Sequence, residues 1–188
     1  MHLDNTILKQ IKQLDKRTFS LLVDAFQKPL FSYLGKMGLS QAIAEEVAQE
    51  TFIRAWQARE KFDPERAALM TWLFTIARRL AINELQRAMH RYECVNDHHQ
   101  LHDESANEAC EASFGNQEQQ QLLSYAISKL PVDDRSLVAL AYIKECEFSV
   151  IAEIENIPVG TVKSRLYRIR QNLKTTLNGG QVHEKTYQ

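Results

Sequence analysis

The stretch SVIAEIENIPVGTVKSRLYRIRQNL, Ser149 to Leu173, decides how the rest of this chain is read. It predicts two short helices joined by a tight turn. Ile151 and Ile154 supply the apolar contacts of the first helix, and Ala152 is small enough for close approach. Asn156 is the turn residue, because Asn visits the left-handed region more readily than most residues. Pro158 presets the backbone for the second helix. Val162, Leu166, Ile169 and Leu173 then form a buried face at heptad-like spacing. That leaves Thr161, Lys163, Ser164, Tyr167, Arg168 and Gln171 outward. The helix also carries Arg165 and Arg170 and no acidic residue. Side chains of these types bind phosphates or read base edges: Arg and Lys pair with guanine, and Thr, Ser and Gln serve other edges. The plainer alternative is a solvated hairpin whose basic face only keeps the protein soluble.

Working outward, 188 residues suit one large domain or two small ones. The formal net charge is −1, so nucleic-acid binding requires local concentration of charge. The chain has that segregation. From Glu93 to Ser128 there is no lysine or arginine, while seven acids occur. Apolar residues are sparse there until Leu122, so the stretch cannot bury enough surface to offset the entropy of ordering it. The expected division is a helical domain at 1–92, a flexible acidic linker at 93–118, a second helical domain at 119–178 and a tail at 179–188. The separation of charges favours a DNA reader over a merely soluble hairpin.

Helical periodicity covers both domains. Leu22, Phe26, Leu30 and Leu34 form one stripe; Val47, Phe52, Ala55 and Trp56 a second; Leu73, Ile76, Ala77, Leu80 and Leu85 a third. Leu122, Leu123, Ala126, Ile127 and Leu130 make a further face, closed by Pro131. Asp133 and Asp134 sit near the next helix start, where negative charge suits the dipole. Runs of period-two alternation are missing, so the fold class is all-α. Three cysteines are too few and too odd in number for a disulfide framework, which fits a reducing compartment. The charged N-terminus lacks the apolar core of a signal peptide, and no apolar run is long enough to span a bilayer. The expectation is a soluble, cytoplasmic protein. There is no Gly-rich phosphate loop and no metal–carboxylate cluster, so neither an enzyme nor a cofactor is expected.

The first domain has a basic segment of its own. LFTIARRLAINELQRAMHRY, Leu73 to Tyr92, places Arg78, Arg79, Arg87 and Arg91 on one helix with only Glu84 opposing. Phe62, Arg66 and Trp72 lie just before or at its start. Basic residues mixed with aromatics suit single-stranded or distorted nucleic acid, where rings stack on unpaired bases and cations hold phosphates. The plainer reading makes Trp56, Trp72 and Phe74 core side chains.

AEEVAQETFIRAWQ (44–57), WLFTIARRLAINELQR (72–87) and IPVGTVKSRLYRIRQNL (157–173) together resemble the signatures of extracytoplasmic-function sigma factors, the smallest members of the sigma-70 family. The resemblance covers about 17–92 and 119–176. It implies two helical domains, region 2 and region 4, that bind core RNA polymerase and direct promoter-specific initiation. Glu46, Gln49 and Glu50 match the face that binds the clamp helices of the large subunit; exposed carboxylates beside a Gln suit a basic coiled-coil partner. The segment 61–72 corresponds to the loop that captures a base flipped from the −10 element, and 73–91, with Arg78, Arg79, Asn83, Arg87 and Arg91, to the helix that opens and holds that strand. Region 4 docks on the polymerase flap and places Lys163, Ser164, Tyr167 and Arg168 in the −35 major groove. The family usually has an anti-sigma partner, often membrane-anchored.

The chain departs from the family pattern at identifiable places. Arg79 and Asn83 stand where many relatives have Asn followed by an acidic or amide residue. Val150 replaces a usual Glu, Glu155 a usual apolar residue and Asn156 a Gly; Glu155 is expected at the edge of the turn. Cys94, His98, His99, His102 and Cys110 cluster in the linker, but their spacing matches no compact zinc pattern, so no metal is expected. Cys146 is expected as a packed helix residue.

Overall fold

A computed structural model of the chain describes residues 15–63, 68–95, 117–143 and 146–180, with the backbone alone at 89–95, 117–121 and 178–180. Among the described residues all regular structure is helical, as the periodicity predicts. The N-terminal unit comprises α1 (Lys16–Lys36), α2 (Gln41–Gln57), a 3₁₀ turn (Arg59–Lys61) and α3 (Leu69–Val95). The C-terminal unit comprises α4 (Gln117–Ser128), α5 (Val132–Ala141), α6 (Phe148–Glu155) and α7 (Val159–Gly180). Helix α3 and helix α4 thus each reach into the ends of the predicted linker. His98, His99, His102 and Cys110 lie outside the described residues, as does the side chain of Cys94.

Helix α1 begins at Asp15, whose carboxylate accepts the Thr18 backbone N–H at 2.7 Å. This backbone hydrogen bond holds the Asp15 carboxyl below its ordinary range. The helix ends at Gly38, with φ 95°. There Gly38 N–H reaches the Gly35 carbonyl at 2.9 Å and Leu39 N–H reaches that of Leu34 at 3.4 Å, the pairing that a left-handed residue permits. The predicted stripes face inward: Leu22, Phe26, Leu30, Leu34, Val47, Ala55, Leu73, Ala77 and Leu85 are all buried. Phe74 is fully buried, edge-on to Phe26 (6.4 Å between centroids) and Tyr33 (5.4 Å). Trp56 and Trp72 are only half-buried.

The C-terminal unit follows the pattern with two corrections. Leu122 does not join the apolar face of α4; it is 49% exposed, and Ala126 is the buried member. Helix α4 packs chiefly on α7, and a helix lying on one neighbour buries only a narrow stripe. Cys146 is packed against the core as expected, but in the connection between α5 and α6 rather than in a helix.

The turn after α6 is the one predicted. Asn156 adopts φ 55°, ψ 46°, its N–H reaches the Glu153 carbonyl at 3.3 Å, and Ile157 N–H reaches that of Ala152 at 3.0 Å. A left-handed conformation costs a typical L-residue about 1–2 kcal/mol, and a β-branched side chain tolerates it least. Asn156→Val is therefore expected to destabilise the protein by about 1–2 kcal/mol and Asn156→Gly to leave it unchanged or firmer. Equal thermal melts for the two variants would contradict this account of the turn.

The units are docked. Helix α1 packs on α5, and α3 packs on α6 and α5, so that the buried apolar residues of both units form one cluster.

Candidate nucleic-acid interface

The second helix of the Ser149–Leu173 motif is mounted from its inner side. Val162, Leu166 and Ile169 are buried and Leu173 is partly so. Arg165 also faces inward, its Nε and Nη2 donating to Asp134 Oδ1 at 3.0 and 2.5 Å. Asp134 is itself buried in the first turn of α5. Its position at a helix start was legible in the sequence; its use as the anchor of α7 was not. With the inner face thus occupied, Lys163, Ser164, Tyr167, Arg168 and Gln171 are exposed, and Thr161 is half-buried. Arg168 is 65% exposed at its side chain and comes within only 4.0 Å of Asp134. The Lys163 ammonium lies 5.9 Å from the Phe148 ring centroid. The result is an outward face of cations, hydroxyls and one amide with no carboxylate among them.

Helix α3 divides its basic residues between two directions. Arg79, Asn83 and Arg87 are exposed, at four-residue spacing on one stripe; Arg87 pairs with Glu84 at 2.5 Å, a contact that solvent screens. Phe62 and Trp72 pack on one another, centroids 5.0 Å apart, both half-buried. Arg66 lies outside the described residues, and for Arg91 only the backbone is described. Arg78 departs from the expected arrangement of four arginines lining one helix. It points into the other unit, where its Nη2 pairs with Asp133 at 2.7 Å and with Glu155 at 2.9 Å.

Glu155 is the second departure. The sequence places it at the edge of the turn; instead its side chain is only 1% exposed. It is the last residue of α6, at the negative end of the helix dipole, so burial and the dipole both disfavour its charge. Two donors offset this. Arg78 supplies the opposite charge, and the Ser136 hydroxyl donates to Glu155 Oε1. Ser136 Oγ in turn lies 2.8 Å from the Tyr33 hydroxyl, so a chain of hydrogen bonds runs from α1 through α5 to α6 and α3. Burial would lower the pKa of Arg78, but the Glu155 hydrogen bond and the nearby carboxylates more than reverse it. Burial pushes the Tyr33 hydroxyl well above its ordinary value. The signal for this network was visible as an acid in a usually apolar slot. Its partner, 77 residues away in sequence (155 − 78), was not.

On α2, Glu46 and Gln49 are exposed, and Glu50 is partly exposed, paired with Arg54 at 2.6 Å. Ile53, 50% exposed, lies one turn further along; the sequence reading did not include it. Cys146 is chemically quiet. Burial, with the Glu147 charge, pushes its thiol up to about 11. Its alkylation by iodoacetamide in mildly alkaline buffer is expected to run about a hundredfold slower in the native than in the denatured chain, read by mass spectrometry; equal rates would contradict the burial.

The class of protein follows from two sigma-70 family models, one matching each helical unit. Residues 22–91 match the model of Sigma-70 region 2, and 120–173 that of Sigma-70, region 4. The chain is 32% identical over 182 residues to the ECF RNA polymerase sigma factor SigW of Bacillus subtilis, covering 90% of this chain and 94% of that one. Two solved structures share the fold. The sigma factor RpoE in complex with the anti-sigma factor NepR from Bartonella quintana gives a TM-score of 0.69 at 22% identity, over 86% of this chain and 98% of that one. CnrH in complex with the cytosolic domain of CnrY gives 0.65 at 21% identity, over 94% and 97%. The chain belongs to the extracytoplasmic-function RNA polymerase sigma factors of the sigma-70 family, which are not enzymes. No described helix is long and apolar enough to cross a membrane.

Proposed function

We propose that this sigma factor, in the cytoplasm, positions core polymerase on promoters through three separate faces. The outward face of α7 reads the −35 element in the major groove, with Lys163, Ser164, Tyr167, Arg168 and Gln171 reaching bases or phosphates and Thr161 at its margin. The observation that carries the reading is this helix: from Val159 to Gly180 it holds no acidic residue, while Val162, Leu166, Ile169 and the Asp134-bound Arg165 turn inward. The −10 strand is held by Phe62, Arg66 and Trp72 together with Arg79, Asn83, Arg87 and Arg91, and by Arg78 once it is free of the other unit. Rings that stack on unpaired bases and cations that hold phosphates need no particular sequence, which suits a melted strand. Glu46, Gln49 and Glu50, with Ile53 as an apolar centre, bind the clamp helices of the large subunit, and region 4 binds the flap.

An anti-sigma factor, often membrane-anchored in this family, is a further partner; one solved neighbour, RpoE from Bartonella quintana, is held by the anti-sigma factor NepR. The test is reconstitution. The protein is mixed with core polymerase and a promoter library, and specific initiation is measured. Transcripts from a defined set of promoters are expected. Folded, inhibitor-free protein that yields neither complex nor transcripts would refute the reading.

A further inference from the structure

We infer that the docked arrangement is a self-inhibited resting state of the free chain, locked by the Tyr33–Ser136–Glu155–Arg78 network between the two units. The inference rests on the assignment of Arg78 to promoter DNA. Three observations carry it. First, the lock consumes that residue: Arg78 cannot hold a DNA phosphate while its guanidinium is shared by Glu155 and Asp133. The −35 face of α7 and the Glu46–Glu50 face of α2 are left exposed. Docking therefore withholds part of the −10 strand surface and leaves the other faces available.

Second, beside the apolar cluster that the two units share, the seam holds groups that water can take over. The Tyr33 and Ser136 hydroxyls, the Glu155 and Asp133 carboxylates and the Arg78 guanidinium all regain hydration when the units part, unlike apolar core surface. Third, the seam is imperfectly satisfied. Arg78 Nε and Arg135 Nε are buried without a hydrogen-bond partner. Arg135 reaches across to the Met37 carbonyl at 3.0 Å and meets no carboxylate among the described residues; burial lowers its pKa. Gly38 lets it approach, since a Cβ there would stand 2.6 Å from Arg135 Nη1. A seam with unpaired buried donors is suited to opening rather than to permanence.

The test uses the full chain with Glu155→Gln and Tyr33→Phe, separately and together. Tyr33→Phe keeps the ring that packs on Phe74, so each unit retains its core. Small-angle scattering gives the radius of gyration, circular dichroism the helix content, and anisotropy the affinity for a short fluorescent single-stranded DNA of randomised sequence. The wild type is expected to be compact. The variants are expected to keep their helix content, expand, and bind the DNA on the order of tenfold more tightly, as the competent fraction rises. An already extended wild type, or variants that do not expand, would overturn the lock. Expansion with unchanged DNA affinity would overturn the self-inhibition. Failure of the wild type to form a holoenzyme counts instead against the promoter reading, and leaves the scattering result standing.

Discussion

Replacing Phe74 with alanine is expected to cost about 3–5 kcal/mol of folding stability, the largest loss from any single substitution considered for this chain. The ring is fully buried on α3 and meets Phe26 and Tyr33, both from α1, edge-on. Truncation removes its transfer energy and leaves a cavity that rigid helices on both sides cannot fill. Domains of this size are stable by about 5–15 kcal/mol, so the variant should be partly unfolded well below the wild-type melting temperature. A urea titration checks it. A loss below about 1 kcal/mol would mean that α1 and α3 collapse onto the vacancy, contrary to a rigidly packed ring. Because Tyr33 rests on the same ring, the damage should also reach the hydroxyl network between the units.

The paired substitution Lys163→Ala and Arg168→Ala should reduce −35-dependent initiation on the order of a hundredfold or more. Each good base contact supplies about 1–3 kcal/mol of discrimination, and about 1.4 kcal/mol is a factor of ten. Arg168→Ala alone should give the smaller part of that loss. Both side chains are exposed, so stability and core-polymerase binding should be unchanged. Initiation assays with and without the −35 element, beside a polymerase-binding assay, separate the outcomes. Lost core binding would mean that α7 faces the polymerase rather than the DNA.

Much of this molecule was legible in its sequence because helices advertise themselves through period. The stripes at Leu22–Leu34 and Leu73–Leu85, and the buried face at Val162, Leu166 and Ile169, are local patterns that one helix fixes by itself. The left-handed turn at Asn156 was legible for the same reason, since few residues tolerate that backbone. What depended on a second unit was hidden. Arg78 looked like its neighbour Arg79, yet one residue of rotation about α3 points it at Glu155 instead of solvent. Glu155 stands out in the sequence as a departure, but its buried position does not follow from the sequence. An acid in an apolar slot reads as a surface residue until its distant cation is known. Leu122 differs: the periodicity is real, but among the described residues its helix packs chiefly on α7, which leaves this position uncovered.

The bond between Asp134 and Arg165 has a consequence for how such a reader can change. It fixes the bearing of α7 from behind, together with Val162, Leu166 and Ile169, and takes nothing from the outward side. Aim and vocabulary are thus held by different residues. Lys163, Ser164, Tyr167 and Gln171 could be exchanged for another set to suit another promoter, and the helix would still arrive in the groove at the same angle. In this molecule the mount and the interchangeable head are already separate parts of one helix.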